Sequence, residues 1–355
     1  MVHYILPSVG TGLELDRRCP QCGWRYGNIH SRLRHRAISD LKVAAVVQRR
    51  MKCRRCGTTW MLRGAGVQPG CQRSQRLCLI GVVLYMFGLS YRDVEKFLPL
   101  LDCRGGKSSI ERDVTDAGQK AQELHRQAPR MQVRVLGVDG TGAAMAGRQA
   151  GVVFFVDLDR GKLVTVEPVA EEDTVEVRRH VRRVMGQVQA REFRSDEHSV
   201  YEGIVSEERH RLCQTHWLKS KGKRAYDLYR QAVTEGQTLE AATLQELLAL
   251  LRKRPRSPTL PEELSRLVRR YIYARKGLPW KINQLLQHIE RTWEKVSADP
   301  RDPTNNTTER IIGLTFKIRS KTMRGFKAQH KVLAHPYLSS FLRGQEGLCD
   351  LRQVV

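Results

Sequence analysis

The chain is short of acid and lacks any long apolar run. Its 355 residues hold 37 Asp and Glu against 62 Lys and Arg, a formal net charge of +25. The sequence pI is about 10.1. So large a shortage of negative charge favours a polyanionic partner, most often nucleic acid, over a ribosomal or merely sticky protein. No apolar stretch approaches the ~20 residues that a spanning helix needs, which excludes a transmembrane helix. Leu77 to Leu89 is the most apolar stretch, and its length suits a core helix. Met1-Val2-His3-Tyr4-Ile5-Leu6-Pro7 lacks the apolar segment of a secretory signal, so a soluble cytoplasmic protein, associated with nucleic acid, is expected. In that compartment the nine cysteines are thiols or metal ligands rather than disulfides. Hydrophobic residues make up 41%, and the length is enough for two or three domains.

Four of the cysteines form a pattern. Cys19-Pro20-Gln21-Cys22-Gly23 and Cys53-Arg54-Arg55-Cys56-Gly57 are two Cys-x-x-Cys-Gly knuckles. Each sets two thiolates on one tight turn, where glycine relieves the steric cost of unusual backbone angles. Together Cys19, Cys22, Cys53 and Cys56 complete a tetrahedral four-thiolate zinc site, structural because no position is left open; a set of redox thiols is the alternative. Residues 1–70 carry thirteen basic side chains and three acids, so this zinc ribbon is expected to touch DNA phosphates.

Helical spacing follows over residues 71–129. Leu77, Ile80, Gly81 and Leu84 share a face, Gly88 ends that segment, and Ser90 opens a short second helix carrying Val94, Phe97 and Leu98. Ser108 and Glu111 read as a capping box for a third helix with Ile110, Val114, Ala117, Ala121 and Leu124. Three helices with a short middle one suit a helix-turn-helix, which presents Ser109, Arg112 and Asp113 near the start of its third helix; a plain three-helix linker is the alternative.

The period changes at Val133. Three strand-like runs (Val133–Val138, Gly151–Val156, Leu163–Val169) precede a helix over Thr174–Met185, then short strands at Phe193–Asp196 and Arg211–Cys213. This order matches an RNase H-like α/β layer. Asp139 ends the first strand run, Asp196 follows another, and Glu309 stands in Asn305-Asn306-Thr307-Thr308-Glu309 before a basic segment. Carboxylates in a basic chain suit Mg²⁺ or Mn²⁺ held against a polyanion. Glu197 competes with Asp196 as ligand, and Glu309 also fits the third helical position of a cap at Asn306.

On these residues the chain resembles a DDE transposase of a bacterial insertion sequence, near the Mutator-like side of that superfamily. Val138-Asp139-Gly140-Thr141 matches the first acid, Ser195-Asp196 with Tyr201 the second, and Asn305 to Glu309 the third. Cys213-Gln214-Thr215-His216 resembles the Cys-x-x-His motif of these enzymes. The resemblance covers roughly residues 130–341. It implies an α/β fold: an RNase H-like core (130–216 and 304–355) interrupted by an all-helical insertion (217–303), preceded by a zinc ribbon (1–70) and a helix-turn-helix (71–129). It further implies Asp139, Asp196 and Glu309 as the catalytic magnesium ligands, Cys213 and His216 in support, double-stranded DNA as element ends and target, and a homo-oligomer on DNA.

The insertion shows leucine faces at Leu244, Leu247, Leu248 and Leu251, prolines at Pro255, Pro258 and Pro261, then helical runs around Leu264–Ile272 and Ile282–Trp293. Arg310, Lys317, Arg319, Lys321, Arg324, Lys327 and Lys331 form a basic stretch without an acid, expected to contact DNA phosphates. Two rival readings are a non-catalytic DNA-binding regulator descended from such an enzyme, and a nuclease of the same fold without strand transfer.

Overall fold

The computed structural model describes residues 2–13, 18–129, 132–170, 172–252, 260–273, 279–297, 305–322, 326–343 and 347–355. The chain is mixed α/β and divides into two compact units, residues 1–128 with 315–355, and residues 129–314. Among the described residues no helix is long and apolar enough to cross a membrane.

The first unit begins with β1 (His3–Ile5), β2 (Gly27–Ile29), β3 (Arg34–Ala37), β4 (Ala45–Cys53) and β5 (Thr59–Arg63). β4 is the spine, pairing antiparallel with β2, β3 and β5. Its end alternates as a strand must: Met51 and Cys53 are buried, Arg50 and Lys52 exposed. Three helices follow, α1 (Gln75–Met86), α2 (Tyr91–Phe97) and α3 (Lys107–Gln127). Ser74 caps α1 by accepting from the Leu77 N–H. α1 is buried nearly all round, so Leu79, Val82 and Tyr85 are covered more fully than the expected positions Ile80 and Leu84. The capping box belongs to α2, between Ser90 and Asp93. It does not form at Ser108 and Glu111: α3 already starts at Lys107 behind Gly106, and Glu111 instead accepts a hydrogen bond from Lys331 at 2.6 Å.

The second unit is built on a five-stranded sheet: β6 (Val135–Met145), β7 (Arg148–Asp157), β8 (Lys162–Glu167), β9 (Glu192–Ser195) and β10 (His210–Leu212), in the order β10-β9-β6-β7-β8. β6, β7 and β8 form an antiparallel meander, whereas β9 and β10 run parallel to β6. The parallel pairing needs a crossover, and α4 (Thr174–Gln187) supplies it. Its Val177, Val181 and Val184 pack in the cluster that holds Leu136, Val138, Phe155 and Phe193. The expected strands and helix all form, with β6 and β7 longer than their apolar runs.

Four helices extend from β10: α5 (Gln214–Thr234), α6 (Thr238–Arg252), α7 (Leu260–Tyr273) and α8 (Trp280–Ser297). Leu244, Leu247, Leu251, Leu264, Leu267, Ile282, Leu285 and Ile289 join Trp217 in one apolar cluster. Trp217 stands edge-on to Trp293 at 5.5 Å, and its indole N–H donates to Thr292 at 2.9 Å. Pro255 and Pro258 lie outside the described residues, as do the side chains of Pro261, Tyr271 and Ile272. A short helix, α9 (Asn306–Ile312), returns to the sheet.

The last segment, with α10 (Ile318–Thr322), α11 (Gln329–Arg343) and β11 (Leu348–Asp350), belongs to the first unit, where β11 pairs parallel with β1. This corrects the expectation that residues 304–355 complete the α/β core: α9 does so, and the tail does not. One residue of the basic stretch takes a different role from the one expected. Arg319 is buried, donates to the Gly88 and Leu89 carbonyls at 2.7 and 2.6 Å, and lies 4.0 Å over the Tyr85 ring. Carbonyls at a helix C-terminus need outside donors, and Arg319 meets that need beyond α1 rather than reaching a phosphate. Phe316 and Phe326 stack in the interior at 5.8 Å. Lys327 is exposed and Lys317 half-buried, while Arg324 and the Lys321 side chain lie outside the described residues.

Candidate functional site

The four knuckle cysteines come together. Their sulfurs all lie within 4.8 Å of one another, with Cys19–Cys56 and Cys22–Cys53 each at 3.6 Å. Zinc–thiolate bonds of about 2.3 Å set the edges of a tetrahedron near 3.8 Å, so the sulfurs fit zinc and are far from disulfide bonding. Gly23 and Gly57 take φ of 69° and 76°, which lets each turn close with an N–H donating to the Cys19 or Cys53 carbonyl. The Arg55 and Cys56 N–H groups point at the Cys53 sulfur from 3.3 and 3.5 Å. A hydrogen bond with the Thr58 hydroxyl, with further bonds nearby, holds the Cys56 thiol down to about 6. The Trp24 N–H pulls Cys22 the same way, but burial and the three other sulfurs outweigh it and push that thiol up to about 12. Four thiolates at this spacing repel one another, and a divalent cation removes the conflict.

The expected helix-turn-helix contacts divide. Arg112 is exposed and Ser109 half-buried near the start of α3. Asp113 is taken, in a two-pronged ion pair with Arg73.

Two of the three acids lie on neighbouring parts of the second sheet. β6 and β9 pair in parallel, with Gly137 opposite Arg194. Two residues further along each chain stand Asp139, within β6, and Asp196, one residue beyond the end of β9. β10 pairs Leu212 with Ser195, so Cys213 follows at the same level. The Cys213 N–H donates to the Ser195 carbonyl at 2.8 Å.

Asn305 joins these strand ends to α9. It is fully buried, its Nδ2 donates to the Val138 carbonyl at 3.0 Å, and its N–H donates to the Cys213 sulfur at 3.2 Å. Its Oδ1 accepts from the Thr308 hydroxyl at 2.6 Å. The expected cap at Asn306 does not form; Asn305 is the cap residue and its side chain is spent on the strand. Gly137 makes the approach possible, because a Cβ there would sit 2.1 Å from the Thr308 hydroxyl and 2.9 Å from the Asn305 Oδ1. Glu309 projects from the first turn of α9, and its Oε1 lies 3.1 Å from the Nε2 of His216, in the first turn of α5. The His216 Nδ1 is buried without a hydrogen-bond partner, which places the ring proton on Nε2, donating to Glu309.

Glu197 is committed elsewhere. Its carboxylate meets the ammonium of Lys221 at 2.6 Å and also pairs with His288. Asp196, half-buried, accepts from the His198 N–H at 3.3 Å through one oxygen. Beneath it, the Ser195 hydroxyl donates to the Asp196 carbonyl at 2.8 Å and lies 2.9 Å from the Nε2 of His210. His210 stacks on Phe193 at 4.3 Å, and burial, with Lys295 nearby, lowers its pKa to about 4. The imidazole is therefore neutral at pH 7.

Sequence reasoning had no signal for His210, Lys221 or His288, which act on the site through contacts far apart in the chain. Asn305 was visible only as part of a motif. Among the described residues the four cysteines are the sole group of three or more ligand-type side chains within single-ion spacing. Asp139, Asp196 and Glu309 do not meet that spacing; two ions about 4 Å apart, each reached from a separate side, set outer ligands wider than one ion does. All three are half-buried and so open to solvent and substrate. Comparison with protein-family models gives no match, and comparison with curated proteins gives none either.

Proposed function

We propose that the chain is a metal-dependent DNA transposase, with a zinc ribbon and a helix-turn-helix ahead of an RNase H-like core carrying a helical insertion. The observation that carries the reading is the parallel pairing of the strand that bears Asp139 with the strand that leads directly into Asp196, with the helix that bears Glu309 pinned onto the first strand by Asn305. The strand order, an antiparallel meander with two parallel strands beside its first member, supports the same core. The excess of 62 basic over 37 acidic residues supports a polyanionic substrate.

In this reading Asp139, Asp196 and Glu309 hold Mg²⁺, and the metal supplies water activation and phosphate neutralisation. The residues of the chain do the rest. Asn305 and Gly137 fix α9 against β6, so that the Glu309 carboxylate faces the strand ends. His216 holds Glu309 by a hydrogen bond and keeps it oriented. Ser195 and the neutral His210 fix the backbone of Asp196 without adding a charge. Lys221 and His288 neutralise Glu197, which leaves Asp196 as the acid free to bind metal. In the joining step the freed 3′-hydroxyl of the element would attack a target phosphodiester at the same site, forming a new phosphorus–oxygen bond as the bond to the target's 3′-oxygen breaks and that oxygen leaves as a hydroxyl, with no covalent enzyme intermediate.

The test uses purified protein, Mg²⁺, linear DNA bearing candidate element ends and a plasmid target. Cleavage and joining by the native protein, both reduced more than about 100-fold in Asp139→Asn with thermal stability unchanged, is the expected result. Cleavage without joining would assign a nuclease instead. Salt-sensitive DNA binding with no cleavage would assign a regulator.

A further inference from the structure

The zinc-knuckle surface combines two features that rarely meet without a ligand. The first is exposed aromatic area on rigid backbone. Trp24 is 40% and Tyr26 64% exposed, and their rings stand 6.1 Å apart, edge to face. Neither sits on a loose loop. The Trp24 carbonyl accepts from the Cys19 N–H at 2.9 Å, inside the first knuckle. The Tyr26 carbonyl accepts from the Arg54 N–H at 3.4 Å, which ties it to the second. The two cysteine knuckles thus fix the backbone of both residues while leaving their rings in solvent.

The second feature is charge of a single sign. Residues 18–63 contain twelve Lys and Arg and one acid, Asp40. The Asp40 side chain is fully covered and bonded to Arg76 and Ser74. No carboxylate is accessible on this stretch. Arg25, Lys52, Arg54 and Arg55 are exposed; the Arg55 guanidinium lies 5.7 Å over Trp24, and the Arg54 guanidinium donates to the Asn28 side chain at 2.6 Å.

These features select the partner. A protein-docking patch usually carries charge of both signs at its rim, which this surface does not offer: Ile29, Leu33 and Leu41 are exposed on the same stretch, but every exposed charge is positive. Phosphate contact alone needs no exposed rings, because duplex bases are stacked and hidden. Unpaired nucleotides present both a π-face and a phosphate, and are bound by aromatic rings interleaved with cations. We infer that Trp24 and Tyr26, flanked by Arg25, Arg54 and Arg55, form a stacking platform for unpaired bases of single-stranded DNA. The inference rests on the reading of the chain as a DNA-processing protein, and it adds that the ribbon engages opened strands rather than intact duplex.

The experiment measures binding of the zinc-loaded full-length protein to a fluorescent oligothymidine of fifteen nucleotides, a fifteen-base-pair duplex and a matched oligouridine, without Mg²⁺. Trp24→Ala should weaken oligothymidine binding about tenfold, and the double change with Tyr26→Ala more, since each stacked base contributes an order of magnitude. Trp24→Phe and Tyr26→Phe, which keep a ring, should retain most of the affinity. Duplex binding should shift less than about twofold, because its phosphate contacts are untouched. Zinc content is measured for every variant, so that a collapsed ribbon is not mistaken for a lost platform. Unchanged oligothymidine affinity, an equal loss on duplex, or tighter binding of oligouridine than of oligothymidine would each overturn the inference. Because no cleavage is involved, a protein that cuts no DNA can pass this test and an active transposase can fail it.

Discussion

The cysteine centre and the carboxylate centre are assembled by opposite means. The thiols sit on two turns of four residues each, tied by a few backbone hydrogen bonds, in a part of the chain with little apolar core. As thiolates they repel one another, and a bound divalent metal would relieve that repulsion. The acids stand on elements held in place without any ion: β6 and β9 by ladder bonds, α9 by Asn305, and all of them over a core containing Leu136, Val138 and Phe193. A metal held by the four thiols would therefore help to fold the first region, whereas the second region is ordered by its own strands and hydrogen bonds.

The largest effect that separates the two is removal of zinc. Structural zinc contributes about 10–16 kcal/mol of apparent binding energy, which in such a module is folding energy. Strong chelation, or Cys53→Ser, should abolish amide-exchange protection in β2 to β5 while β6 to β10 remain protected. Persistent protection of β2 to β5 in metal-free protein would sink the distinction. Removal of Mg²⁺, by contrast, should leave exchange unaltered throughout.

The next effect tests the metal-free support of the acids. Glu197→Gln leaves Lys221, which is 5% exposed, without its carboxylate partner. Breaking a buried pair from one side costs about 3–5 kcal/mol, so the melting transition of the second unit should fall by several degrees or more. Normal melting with lost cleavage would instead make Glu197 a ligand.

Acidification probes His210. Its folded pKa, about 4, lies below the ordinary histidine value near 6.5, so the unfolded chain binds the extra proton between these limits. Stability is full above about pH 6.5 and is lost toward pH 4, by up to about 1.4 kcal/mol per pH unit. His335, lowered to about 3 chiefly by burial, acts in the same direction in the other unit. Urea titrations across this range should show the slope, and His210→Gln should flatten the part that belongs to the second unit.

The smallest change is Gly137→Ala. The added methyl meets Thr308, Asn305 and Leu158 within 2.9 Å. Overpacking of this kind costs about 1–3 kcal/mol, and it should displace α9, so Mg²⁺ affinity should fall together with stability. A stable Gly137→Ala protein with native metal affinity would show that α9 does not depend on this close approach.

Much of the fold was legible because its signals are local. The knuckles are read within five residues each, the strands of the second unit from apolar runs, and the helical cluster from leucines at helical spacing. Cap positions were misread at Ser108 and Asn306, where any polar residue within one turn satisfies the pattern and only backbone geometry chooses among them. Arg319 was misread because an arginine within a basic run looks the same on a solvated face as in a protein interior. Only the open carbonyls beyond α1, brought near by folding, bury Arg319.

The sequence by itself determined the four cysteines as a possible metal site, the order of strands and helices in the second unit, and the three acids as candidates, since each depends on spacing along one short stretch. The tertiary structure alone decided that the strand bearing Asp139 pairs with the strand leading into Asp196, that Glu197 is spent on Lys221 and His288, and that residues 315–355 belong with the first three helices. These outcomes depend on which distant surfaces meet, and the contacts that settle them span up to 231 residues of chain, as from Arg319 to Gly88. No local propensity carries that information, because it arises only when buried donors, acceptors and charges must find partners in a closed interior.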